Sequence, residues 1–173
     1  MIRIGQTNAT IDTPVEHLMA CHRRIEDRLE TLERAGAHLA TDRGAALEAI
    51  RKSIAFLDSS GVLHTRDEEE SVFPRLRPHL TAAEFRYLDT LEEQHRAVET
   101  VYDQLKQVFS QLYEVSEISD DLAKTYKSLV SMLAKMYRLH IESEDDILVR
   151  IARNTLDADQ LKDISLEMAA RRK

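Results

Sequence analysis

Apolar residues recur in alternating steps of three and four along four stretches of this chain, the spacing that lines one face of a helix turning once per 3.6 residues. The first stripe reads Leu18, His22, Ile25, Leu29, Leu32, and the second Leu47, Ile50, Ile54, Leu57, Gly61, His64, Glu68, Val72. The third reads Leu88, Leu91, His95, Val98, Tyr102, Leu105, Phe109, Leu112, and the fourth Leu122, Tyr126, Leu129, Leu133, Met136, His140, Glu144, Ile147. Each stripe carries one histidine in phase with its leucines, and a glutamate follows each histidine by four residues: Glu26, Glu68, Glu99 and Glu144. His17, His38 and His79 lie off the stripes or in connections.

Local signals set the limits of these helices. After a short extended arm, Thr13-Pro14-Val15-Glu16 has the form of a capping box with proline at the first helical position, and the helix it opens is expected to reach about Leu39. The turn from Ala40 to Gly44 leads into a second helix that Pro74 disturbs and Pro78 ends, because proline lacks the amide donor and clashes with the preceding turn. Thr81-Ala82-Ala83-Glu84 is another capping box, opening a helix to about Val115, and Ser116 to Asp120 is a polar turn before a helix from Asp121 to Arg153. Leu156 to Gln160 repeats the cap logic before a short last helix.

Short connections make sequential helices antiparallel neighbours. The expected fold is all-α: an up-down-up-down four-helix bundle over about 14–153 with a C-terminal helix over about 157–172, in one domain spanning 1–173. At a rise of about 1.5 Å per residue, His22, His64, His95 and His140 lie roughly 12, 15, 20 and 20 Å from the same end of such a bundle, so their rings can share a layer. The halves of the chain also match at an offset of 76, with Leu63-His64 against Leu139-His140, Glu68 against Glu144, Leu80 against Leu156 and Ala82 against Ala158. A helix-pair repeat of this kind predicts two His/Glu pairs related by a pseudo-two-fold axis.

Composition narrows the function. A chain of 173 residues with 43% hydrophobic and 32% charged residues, four Gly and three Pro can bury a core without a structural metal, so any metal is functional. The net charge of −7, with acidic runs at Asp67-Glu68-Glu69-Glu70 and Glu142-Ser143-Glu144-Asp145-Asp146, argues against nucleic acid. Glu69, Glu70, Asp145 and Asp146 read as a solvated face, and Arg171-Arg172-Lys173 as a solvated helix end. Cys21 is the single cysteine and reads as an inert, buried thiol, Met1 to Gln6 lack the apolar run of a signal peptide, and no stretch approaches a membrane span. The expected location is the cytoplasm.

Residues four apart on a helix face one way, so His64 with Glu68 and His140 with Glu144 each present an imidazole and a carboxylate to one internal site. Imidazole nitrogen binds iron, zinc, copper or manganese, and a carboxylate can bridge two cations while neutralising their charge. A single in-phase histidine is ordinarily a core residue with satisfied nitrogens. Four of them beside Glu68 and Glu144 are different, because burying those carboxylates without a counter-charge costs several kcal/mol each and no lysine or arginine shares their stripes. Glu26 and Glu99 are weaker candidates, since Ile25 and Val98 compete for the core-facing place, and Tyr102 and Tyr137 read as core or boundary residues able to donate a hydrogen bond into the site.

The set His22, then His64-Thr65-Arg66-Asp67-Glu68, then His95, then His140-Ile141-Glu142-Ser143-Glu144, each on its own amphipathic helix, resembles the hemerythrin-like family, also called the HHE cation-binding domain. The resemblance covers about Thr13 to Arg153. It implies a bundle holding a non-haem di-iron centre, oxo- or hydroxo-bridged, with His22, His64, His95 and His140 as terminal ligands and Glu68 and Glu144 as bridges. Zinc and manganese remain alternatives. The chain departs from oxygen-carrying hemerythrins, whose third helix resembles His-x-x-x-His and whose fourth resembles His-x-x-x-x-Asp; here the third reads His95 to Glu99 and the fourth His140 to Glu144. One histidine fewer and one carboxylate more favour the ferric state over reversible oxygen transport.

The expected function is binding or sensing of O2, peroxide or nitric oxide, or iron buffering, with a small diatomic or peroxide ligand as partner. The alternatives are a metal-free or zinc-bound helical interaction module and a peroxidase-like or catalase-like di-iron enzyme. A ferritin-like oxidase would place glutamate before histidine at a spacing of three, a bis-histidine haem bundle has no use for the in-phase glutamates, and a structural zinc would favour cysteine pairs.

Overall fold

The computed structural model describes residues 13–173, so the arm expected before Thr13 lies outside the described residues. Those residues are helical with no strand among them. Helix α1 spans Pro14–His38 and α2 Arg43–Phe56; a π-helical turn, Leu57–Gly61, carries the second helix into α3, Val62–Asp67. A second π turn, Glu68–Val72, precedes α4, Phe73–Leu76, and a 3-10 turn, Arg77–His79. Then come α5, Ala82–Glu114, and α6, Asp120–Ser143, which continues through a third π turn, Glu144–Leu148, into α7, Val149–Thr155. Helix α8, Ala158–Ala170, closes the chain. Among the described residues no helix is long and apolar enough to cross a membrane.

Two of the three expected capping boxes form. Thr81 and Glu84 close reciprocally on α5, and Asp157 and Gln160 on α8. At α1 the Thr13 side chain does not cap the helix; Glu16 instead faces Arg153, 3.3 Å away, and Pro14 alone supplies the start. Around Pro74 the run is irregular, as expected, with a π turn before α4 and a 3-10 turn after it, and it ends at His79, just after Pro78. At the far end of α5, the Arg43 guanidinium donates to the carbonyls of Leu112, Val115 and Ser116, closing groups that a helix terminus otherwise leaves unpaired.

Helix α1 packs on α2 and α6, and α5 packs on α6 and α2. Gly36 permits the α1–α6 approach, since a Cβ there would stand 2.9 Å from the Tyr126 ring, whose hydroxyl donates to the Leu32 carbonyl. The apolar interior forms two clusters. One holds Ile25, Leu57, Val98 and Ala134; the other holds Leu18, Val72, Leu91 and Leu148. On each of the four helical runs the candidate histidine lies between a residue of one cluster and a residue of the other, so a polar layer separates two apolar ones.

One stripe needs correction. Its pattern placed Ile147 in the core after Glu144, whereas Leu148 and Val149 are buried and Ile147 is only partly so. The π turn adds a residue to the helical repeat, which rotates the following side chains and advances the buried position by one.

Candidate metal centre

The two runs that carry His-x-x-x-Glu share a device: each π turn begins at the glutamate, Glu68–Val72 in one and Glu144–Leu148 in the other, at the same offset of 76 that relates the two halves of the sequence. Widening the helix at this point lets the carboxylate reach inward without breaking the run. Both glutamates are fully buried.

Six residues converge. His22, His64, Glu68 and Glu144 form one group with ligand atoms within 4.8 Å of each other, and Glu68, His95, His140 and Glu144 form a second, so the two glutamates belong to both. Glu68 lies 3.3 Å from His64, 3.8 Å from His22 and 3.5 Å from His95; Glu144 lies 3.2 Å from His22 and 3.1 Å from His140. The Nε2 atoms of His22 and His64 face each other at 3.0 Å, and those of His95 and His140 at 2.9 Å. Glu26 and Glu99 stand outside this cluster because Ile25 and Val98 take the buried positions on their helices.

The outer nitrogens fix the character of the rings. Asp145 lies 2.7 Å from Nδ1 of His22, Glu69 2.8 Å from Nδ1 of His95, and the Gln94 side-chain oxygen 2.9 Å from Nδ1 of His140. Each is an acceptor, so Nδ1 carries a proton and Nε2 is the atom turned inward, with a lone pair to offer a cation when the ring is neutral. Glu69 and Asp145 keep much of the solvent exposure expected of them, and each in addition orients a histidine. The signal was in the sequence, since the two stand at the same offset of 76 immediately after Glu68 and Glu144. Asp67 and the C-terminal arginines, by contrast, are not solvated; Asp67 is fully buried and pairs with Arg171 at 2.8 Å and Arg172 at 2.5 Å.

The donor set fits a cation. None of the four oxygens of Glu68 and Glu144 makes a hydrogen bond among the described residues, nor does Nδ1 of His64. Buried carboxylates without donors are costly, and the inward-facing Nε2 atoms are the ones a cation would take once their rings are neutral. The protons respond to it. Burial opposes a charge on His22, yet Asp145, Glu144 and Glu68 outweigh it and push its pKa up to about 12; His95 rises to about 10 in the same way, against burial, through Glu68 and Glu69. His64, whose outer nitrogen has no carboxylate, is held down to about 4, chiefly by burial. Despite complete burial, which raises a carboxyl pKa, Glu68 is held well below the usual range by His64, His22 and His95. Glu144, raised by burial and by Glu68, is held low by His140 and His22. Protonated rings here occupy the electrostatic role of metal ions.

Residues 13–152 match the hemerythrin family, described as the Hemerythrin HHE cation binding domain. The chain belongs to this family. Among curated proteins none matches it by sequence comparison. As a hemerythrin-family chain it carries its His/Glu cluster inside the matched region, whereas α8 lies beyond it. Cys21 is buried against the Ser60 carbonyl, with its pKa raised by burial, and takes no part in the cluster.

Proposed function

We propose that this chain is a single-domain, cytoplasmic, non-haem protein holding two iron ions in an up-down-up-down four-helix bundle, and that it binds or senses O2, peroxide or nitric oxide. His22 and His64 would hold one ion, His95 and His140 the other, and Glu68 and Glu144, which belong to both groups, would be shared between them. The observation that carries this reading is the set of four buried carboxylate oxygens without hydrogen bonds, placed between two facing pairs of imidazole nitrogens. Six protein ligands shared by two ions leave coordination positions for a small exogenous ligand, and bound iron supplies one-electron redox chemistry and affinity for such ligands. The protein's own contribution is to fix ring tautomers through Asp145, Glu69 and Gln94, to exclude bulk water with the two apolar layers, and to keep the bridging carboxylates ionised. The acidic net charge and the enclosed polar layer leave nucleic acid without a role.

Metal analysis of anaerobically purified protein tests the proposal. Two irons per chain are expected, with a visible spectrum that changes on adding oxygen, peroxide or nitric oxide. His64→Ala and Glu144→Ala are each expected to lose at least one equivalent. Full dinuclear content in both variants would rule out these ligand roles, and a spectrum indifferent to all three additives would leave metal buffering as the function.

A further inference from the structure

The two histidine pairs border very different spaces. Beside His22 the space is about 10 Å³, walled by Leu18, Val72 and Leu148, which is at the lower limit for a single water. Beside His95 and His140 a cavity of about 300 Å³ opens outward, with Val62, Val98 and Tyr137 on its wall and Arg96 and Glu99 along its rim. That volume is at the small end of ligand pockets.

Tyr137 is the unusual member of that wall. It lies on α6 three residues before His140, so both side chains face the same direction. Three other tyrosines spend their hydroxyls on protein: Tyr87 donates to the Ser143 carbonyl, Tyr102 to the Ile54 carbonyl, and Tyr126 to the Leu32 carbonyl. The Tyr137 hydroxyl makes no hydrogen bond among the described residues although the side chain is largely enclosed. Unlike the sealed oxygens of Glu68 and Glu144, the Tyr137 oxygen keeps access to solvent at the cavity it lines. Burial, with Cys21 and Glu68 nearby, raises its pKa to about 12, so it remains an O–H donor at neutral pH.

We infer that the cavity beside His95 and His140 receives the exogenous ligand, a compact molecule with a lone-pair acceptor atom, and that Tyr137 donates a hydrogen bond to it. The inference rests on the metal-binding reading above and adds a side and a residue to it: the ligand enters over the His95/His140 pair, because the His22/His64 side has no room.

Azide is the probe, titrated into the iron-loaded full-length chain and followed by visible absorption, with iron content measured on every sample. Tyr137→Phe is expected to keep its iron and bind azide about tenfold more weakly, the loss of one hydrogen bond. Val62→Trp, at a half-exposed position on the wall, is expected to slow azide association about tenfold at unchanged iron content. Tyr126→Phe, which loses a phenol remote from the cavity, controls for a general loosening and is expected to bind azide as the unaltered chain does. Iron-loaded Tyr137→Phe with unaltered azide affinity, or Val62→Trp with unaltered association, overturns the inference and leaves the metal site standing. An unaltered chain that takes up no iron overturns both.

Discussion

The Glu68 and Glu144 turns are near-copies in backbone and differ in what stands behind them. Each opens a π turn, each follows its histidine by four residues, and each is followed by an acid that holds a histidine ring, Glu69 on His95 and Asp145 on His22. The preceding residues differ: Asp67 in one, Ser143 in the other. Asp67 is fully buried and held by Arg171 and Arg172 at the end of α8, and around it Ser71 and Arg75 bind Glu167 while Arg171 also reaches Glu70 and Ser71. Behind Ser143 there is one phenol, that of Tyr87, and otherwise Leu148, Val149 and Ile151 packed into the core. One carboxylate of the cluster is thus backed by an ionic clasp from a helix beyond the family match, and the other by apolar burial. The lesson is that a symmetric site does not require symmetric support.

The clasp should break hardest. Removing both arginines in Arg171→Ala/Arg172→Ala leaves Asp67 as a buried charge without a partner, a change expected to cost about 3–5 kcal/mol. Urea unfolding of the metal-free protein measures it. Adding Asp67→Asn removes the stranded charge and should recover most of the loss; failure to recover would mean that the arginines act through packing of α8 instead. With metal present, the double-arginine variant is expected to surrender it to a chelator faster than the unaltered chain, since its loosened turn carries Glu68.

The apolar side ranks next. Leu148→Ala, at a buried position following the Glu144 turn, should cost about 2–4 kcal/mol through lost burial and the space left behind. No second substitution of a charged residue is expected to rescue it, which separates this support from the clasp. Equal rescue of both variants by Asp67→Asn would erase the distinction drawn between the two turns.

Periodicity made the six cluster residues legible because a ligand on a helix must keep phase with the leucines that bury it, and His22, His64, His95 and His140 do. It made the C-terminal helix legible through the Asp157–Gln160 cap. The π turns were not legible, since a stripe in steps of three and four fits Glu68 to Val72 whether the helix is wide or regular, and only the shift from Ile147 to Leu148 reveals the extra residue. The Asp67 clasp was hidden for another reason: its arginines lie more than 100 residues away, and an acid in an acidic run looks like solvent-facing charge. The Tyr137 cavity depends on an absent contact, which no pattern of residue types encodes.

On the proposed reading, metal adds a third contrast, because both turns supply residues to the same His/Glu cluster. A ligand that binds only the folded state stabilises it by about 2.7 kcal/mol when free at a hundred times its Kd. Stripping metal with a chelator is therefore expected to lower the melting temperature, and by more in Leu148→Ala than in the double-arginine variant if Glu144 keeps its hold on metal better than Glu68 does. Differential scanning fluorimetry with and without chelator reads this directly, and equal shifts would show that the clasp does not set metal retention.

The smallest change tests the remaining polar support. Tyr87→Phe removes the 2.6 Å hydrogen bond to the Ser143 carbonyl while keeping the ring that packs on the second core cluster. The carbonyl lies within a helical run and the lost bond is neutral, so the cost should be about 1 kcal/mol. Burial, with Glu144 and Asp146 nearby, raises the Tyr87 pKa well above that of an ordinary phenol, so the bond persists through the neutral range and the cost should not vary between pH 6 and pH 8. A loss comparable to that of the double-arginine variant would make Tyr87 the counterpart of the clasp, and the two turns would then share one kind of support after all.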